Sequence, residues 1–127
     1  MSKLQRGRWV GREDGSPARE LLIELLAGRR PPRRVAYGHR GVAEAIRSGW
    51  ADLGICVRLA AEEAGLAFLP VCQEDYDLCI PAELEGDPRV RALAETLRSS
   101  EFRTALADLP GYDSTGTGEI EHISGAV

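Results

Sequence analysis

The chain has 127 residues and a mass of 13.8 kDa, enough for one domain of ordinary size, and its 43% hydrophobic and 28% charged residues match a globular rather than a disordered composition. No apolar run reaches the roughly 18 residues of a membrane helix, and MSKLQRGRWV lacks the apolar stretch of a secretory signal, so a cytoplasmic protein without membrane association is expected. The net charge of −4 is unevenly placed: residues 1–40 hold ten basic against four acidic side chains, and residues 41–127 hold six against sixteen. That split favours an anion site in the basic third, or association between opposite faces of two copies; nucleic acid is a weaker option, because no aromatic side chains interleave with the arginines.

A short strand is predicted around residues 8–11, followed by a turn at Glu13-Asp14-Gly15. Ser16 is placed as an N-cap with Pro17 at the first helical position, where its missing N–H costs nothing. The helix runs to about Ala27 with Leu21, Leu22, Leu25 and Leu26 on its apolar face, and Gly28 is a stop. Residues 33–38 are predicted as a second strand, and a second helix from Gly41 carries Val42, Ala45 and Ile46 before ending at Gly49. The apolar run DLGICV (residues 52–57) has the pattern of a buried parallel strand. A short helix at residues 58–64 closes at Gly65. Residues 66–72 and 76–80 are predicted as two more strands, with Pro70 implying an edge or a bulge. Asp87 with Pro88 opens a helix with Val90, Leu93, Ala94 and Leu97 on one face; Ser99 or Ser100 opens a last one with Phe102, Ala105, Leu106 and Leu109. The tail from Asp113, rich in Ser, Thr and Gly, is expected to be mobile. The alternation of strand and helix up to residue 80 implies a single α/β domain: a mainly parallel sheet of about five strands with helices on both faces. Ligands of such sheets meet the loops at the carboxyl ends of the strands.

Two strand-to-helix connections offer anion donors. In the first, Arg12, Gly15, Ser16 and Arg19 combine helix-terminal N–H groups, a hydroxyl and guanidinium forks; the alternative is that Ser16 only caps the helix and Arg19 only solvates its first turn. In the second, His39 and the backbone N–H groups of Gly41 and Val42 face the same way, although a lone histidine is more often a satisfied surface residue than a ligand. Tyr76 at a strand start is a third donor, or a packing residue at a sheet edge. Cys56, Cys72 and Cys79 sit in apolar runs, form no CxxC pair and are expected to be buried, reduced and poorly reactive. No nucleophile motif, dinucleotide fingerprint, P-loop or HExxH is present, and no cofactor or metal is expected; the chain is not expected to be an enzyme.

Five stretches carry a resemblance: residues 12–26 (REDGSPARELLIELL), 42–54 (VAEAIRSGWADLG), 64–70 (AGLAFLP), 74–80 (EDYDLCI) and 87–118, which ends LRSSEFRTALADLPGYDSTGTG. Together they resemble the periplasmic-binding-protein-like domain of molybdate-type sensors, relatives of type II solute receptors. The resemblance implies a two-lobed receptor holding a small oxyanion, molybdate or tungstate, in its cleft. The donors it implies are Gly15, Ser16 and Arg19, the loop at residues 39–42 and Tyr76. Pro17-Ala18 stand where the family has Gly-Thr, which removes one hydroxyl and one N–H donor. The chain corresponds to the second lobe and closing helices, with the first lobe and a DNA-binding domain missing or separate. The expected function is therefore a small-ligand-binding or sensor domain, the effector part of a transcription regulator; the alternative is a self-associating module that has lost ligand binding. The apolar faces of the last two helices, left without a first lobe, lead to an expected homo-oligomer, a two-fold dimer.

Overall fold

A computed structural model describes residues 6–121, which divide after Pro70 into two compact units. The first unit contains strand β1 (Gly11–Arg12), helix α1 (Pro17–Leu26), strand β2 (Val35–Ala36) and helices α2 (Gly38–Arg47) and α3 (Arg58–Glu63). The second contains helices α4 (Pro88–Arg98) and α5 (Ser100–Ala107), preceded by a 3₁₀ turn at Ala82–Leu84.

The helices follow their caps. Ser16 in extended conformation accepts the Arg19 N–H on its hydroxyl, Pro17 leads the helix, and Ala27 closes it in the left-handed region. Ala18, Leu22 and Leu26 form the buried stripe of α1, which lies against β1. The α2 helix begins at Gly38, three residues before the glycine that the sequence pattern favours. Its N-cap, Tyr37, makes no side-chain capping bond, so no polar residue marks the start. The core of the unit is small: Val10 and Val42 are fully buried among Ala36, Ala45 and Ala51, with Ile46 and Cys56 packed against them. Gly54 faces this cluster, and a Cβ there would lie 2.5 Å from Val42 Cγ1 and 2.8 Å from Val10 Cγ1. The backbone approaches its own core too closely for any side chain at that position.

The expected five-stranded sheet is not formed. Among the described residues the sheet has two parallel strands, β1 and β2, in the register Gly11 to Val35 and Arg12 to Ala36, and a single further bridge joins Trp9 to Leu53. The reason is hydrogen bonding. A β-prone run becomes a strand only when a neighbouring backbone meets its N–H and C=O groups. After Leu53 that role passes to side chains: Arg12 donates to the Ile55 carbonyl and His39 accepts the Val57 N–H. Residues 66–72 and 76–80 join no ladder, and Pro70 has no N–H to offer.

In the second unit, Asp87 accepts the Arg89 N–H at 2.8 Å and Ser99 accepts the Phe102 N–H at 3.2 Å, so both helices start where their caps place them. They pack against each other. Arg98 Nε donates to the Gly118 carbonyl at 2.8 Å, holding turns at residues 115–118 to the end of α4. No residue from 71 to 121 is buried. The apolar face of α4 is thus only half covered, and residues 71–80 are exposed along their whole length.

That exposure corrects the expectation of three buried thiols. Cys56 is half-buried, and Cys72 and Cys79 are exposed, because the runs that carry them found no sheet to join. Burial also pushes the Cys56 thiol pKa up, the nearby Arg12 charge opposing it less strongly. Ellman's reagent under native conditions should therefore label Cys72 and Cys79 rapidly and Cys56 only after denaturation. The pattern is checked with the single variants Cys72→Ser and Cys79→Ser, each of which should lose one fast equivalent.

Candidate functional site

The connections that leave β1 and β2 are tied together by Arg12, whose side chain is 4% exposed. Its backbone lies in the β1–β2 ladder opposite Ala36. Its guanidinium reaches three chain segments. Nε donates to Glu13 Oε2 at 3.1 Å and Nη2 to Glu13 Oε1 at 3.0 Å, a two-point fork; Nη1 donates to the Ile55 carbonyl at 3.1 Å and lies 3.4 Å from His39 Nδ1. Glu13 Oε2 also accepts the Gly38 N–H, the first of α2, at 3.3 Å. One carboxylate is thus held by a guanidinium fork and by the positive end of a helix. His39 Nδ1 accepts the Val57 N–H at 3.2 Å. An acceptor at Nδ1 leaves the ring proton on Nε2, and the imidazole joins the first turn of α2 to the start of α3.

Ser16 is used twice within its own turn. Its hydroxyl donates to the Glu13 carbonyl at 2.8 Å and accepts the Arg19 N–H at 3.2 Å. Gly15, with φ +79°, makes the left-handed step that returns the chain to Ser16. Arg19 pairs through Nε with Asp14 Oδ1 at 3.1 Å and donates from Nη1 to the Arg12 carbonyl at 3.4 Å. Gly41 and Val42 lie inside α2, where their N–H groups belong to the helical ladder; the donors of that first turn are the N–H groups of Gly38, His39 and Arg40. Val42 is a core residue. Tyr76 belongs to the second unit, outside any helix or strand, and is 70% exposed.

The sequence pattern singles out Arg12, Gly15, Ser16, Arg19 and His39, and the structure gathers all five in the first unit around β1 and the first turns of α1 and α2. Glu13 was passed over as a turn residue. The signal was present: an acid directly after an arginine at a strand end, one turn before a helix. A groove of about 660 Å³ elsewhere in this unit is lined by Ala36, Gly41, Glu44, Ala45, Ser48 and Trp50, and by none of those five site residues. Among the described residues, no group of three His, Cys, Asp or Glu side chains could hold a metal ion.

The Arg12 fork holds the Glu13 carboxyl far below its ordinary range, at about 2, helped by its own backbone N–H and that of Gly38 and opposed by partial burial. A lowered folded-state pKa means that the unfolded chain binds the proton first as pH falls. The stability this group supplies is fully present above its ordinary pKa and is lost as pH drops toward 2. Between about pH 5 and about pH 2.5 the melting temperature of Glu13→Gln should therefore fall less than that of the wild type. Parallel melting curves across that range check it, and equal slopes would contradict the assignment.

A family model described as a PBP superfamily domain matches residues 1–98. The Uncharacterized protein YvgK of Bacillus subtilis (strain 168) is 35% identical over 120 residues, which cover 89% of this chain and 38% of the relative. The chain thus spans well under half the length of that protein. The Uncharacterized protein in ferredoxin 2Fe-2S gene 5'region of Clostridium pasteurianum is 32% identical over 88 residues, covering 68% of this chain and 78% of the relative. No solved structure matches. With its family model spanning most of the sequence and a relative of this similarity aligned over nearly all of it, the chain belongs to the PBP superfamily-domain family.

Proposed function

We propose that this chain is a ligand-binding, non-enzymatic domain that takes a small oxyanion at the cluster formed by the β1–α1 connection and the first turn of α2. The observation that carries this reading is that the cluster already binds an oxyanion group, the Glu13 carboxylate, through the Arg12 fork and the Gly38 N–H. Arg19, one helical turn away, adds a second guanidinium. Two features favour binding over catalysis. Burial pushes the Cys56 thiol pKa up, away from a reactive thiolate, and the His39 nitrogen nearest the cluster is engaged by the Val57 N–H rather than free to accept a substrate proton. The resemblance to molybdate-type sensors makes molybdate or tungstate the preferred ligand and the effector part of a transcription regulator the preferred context, with the first lobe and the DNA-binding domain supplied by another part or another chain.

Melting temperature in millimolar molybdate, tungstate, sulfate and phosphate tests the reading, since an anion that binds only the folded state raises it. One of these anions should raise the wild-type value, and Arg19→Ala should remove the rise while changing the anion-free value little. An unaltered rise in the variant would detach Arg19 from the site, and no rise with any anion would end the oxyanion reading.

A second reading, self-association, is favoured by the second unit, where none of the described residues is buried and Tyr76, Leu78 and Leu93 all stand exposed. Each large apolar side chain left in water forgoes about 1.5–3 kcal/mol. We propose that a second copy covers this surface, the basic first third and acidic remainder adding complementarity. Light scattering after size exclusion should give twice the chain mass at micromolar concentration. A persistent 13.8 kDa species would reject the dimer.

A further inference from the structure

The donors best suited to an external anion are already in use. Both oxygens of Glu13 sit on the Arg12 fork, at 3.1 and 3.0 Å, and one of them also holds the Gly38 N–H. Every nitrogen of the Arg12 guanidinium is engaged: its remaining terminal nitrogen serves the Ile55 carbonyl and faces His39. The tether is as short as a chain allows, because Glu13 follows Arg12 directly. Its side chain is nevertheless 29% exposed, so the carboxylate can swing out to water, whereas the guanidinium cannot follow. An incoming oxyanion and the Glu13 carboxylate cannot share these donors, since like charges a few ångströms apart in a partly dry site repel strongly. Asp14 and Arg19 neutralise each other next door and do not alter that balance.

We propose that Glu13 is the built-in competitor of the anion site: its carboxylate is the site's resident ligand, an external oxyanion binds only by displacing it, and Glu13 therefore sets which anions are admitted and at what concentration. This rests on the oxyanion reading above for the external ligand, though not for the resident one. A monocarboxylate offers the donors nothing that Glu13 does not, and it lacks the tether. A tetrahedral dianion brings a second charge and additional acceptor oxygens, which reach Arg19 and the other N–H groups of the α2 first turn. The threshold set by Glu13 thus rejects small carboxylates and leaves multiply charged oxyanions as the class able to enter. Because an occupied site lowers apparent affinity by the fraction of time it is free, removing the competitor raises apparent affinity for every anion.

The experiment compares wild type, Glu13→Ala and Glu13→Gln by thermal melting in sodium formate, sodium sulfate and sodium molybdate, with ionic strength held constant by sodium chloride. Glu13→Ala should be destabilised in chloride alone and restored in part by formate, which supplies the missing carboxylate, while the wild type does not respond to formate. Glu13→Gln keeps the side-chain shape without the charge and guards against a fold failure in the alanine variant; its half-saturating concentration for the responding dianion should fall at least about tenfold below that of the wild type. Formate raising all three proteins equally, or none of them, would overturn the proposal. If formate restores Glu13→Ala but no dianion acts on the wild type, the resident-ligand assignment holds and the external oxyanion reading fails. If a dianion stabilises wild type and Glu13→Gln at the same concentration and formate restores nothing, the oxyanion reading holds and the competitor falls.

Discussion

The first unit depends on one buried cation. Arg12 ends β1, and its guanidinium makes four contacts: two to Glu13, one to the Ile55 carbonyl and one toward His39. A guanidinium out of water is tolerable only when each of its donors has an acceptor. Here the acceptors come from the β1–α1 connection, from α2 and from the segment before α3. Satisfying the charge and assembling the three connections are consequently the same event. The apolar core beside it is made largely of alanines and two valines, so it contributes shape more than burial. Polar contacts supply much of the order in this part of the molecule.

The two units use different means to define themselves. In the first, side chains buried on both sides of β1 give the helices something to lie against. In the second, the order is local: an Asx cap at Asp87, a serine cap at Ser99, the mutual packing of α4 and α5, and the Arg98 contact to Gly118. Local capping starts helices efficiently but removes little apolar surface from water.

The helices were legible because their signals are short-range. Ser16-Pro17, Asp87-Pro88 and Ser99 each place a cap within a residue or two of where the helix begins. The start of α2 was not, because Tyr37 offers no capping side chain and the glycine at 41 looks more like a boundary than the one at 38. Strands were overcounted for a related reason. A run such as LAFLPVC shows that a segment suits a sheet, but whether it becomes a strand depends on a neighbour that lies elsewhere, and residues 66–80 have none. The site was half legible. Arg12, Ser16 and Arg19 stand out as donors; that the nearest acceptor would be the very next residue is a matter of side-chain geometry, which spacing along the chain does not encode.

The position of β1 between its two neighbours has a consequence for how the chain is made. β1 is synthesised before its partners, which are Val35 and Ala36 on one side and Leu53 on the other, and the Arg8–Asp52 ion pair closes a loop of 44 residues around them. While the nascent chain is shorter than that, Trp9 and Val10 have no ladder on the Leu53 side and Arg12 lacks its Ile55 acceptor. At translation rates of about 5–20 residues per second, this leaves an apolar strand and a cation without its acceptors waiting for seconds before the fold can close around them. The order of synthesis thus runs against the order of dependence: the segment that organises the unit emerges before the partners that satisfy it.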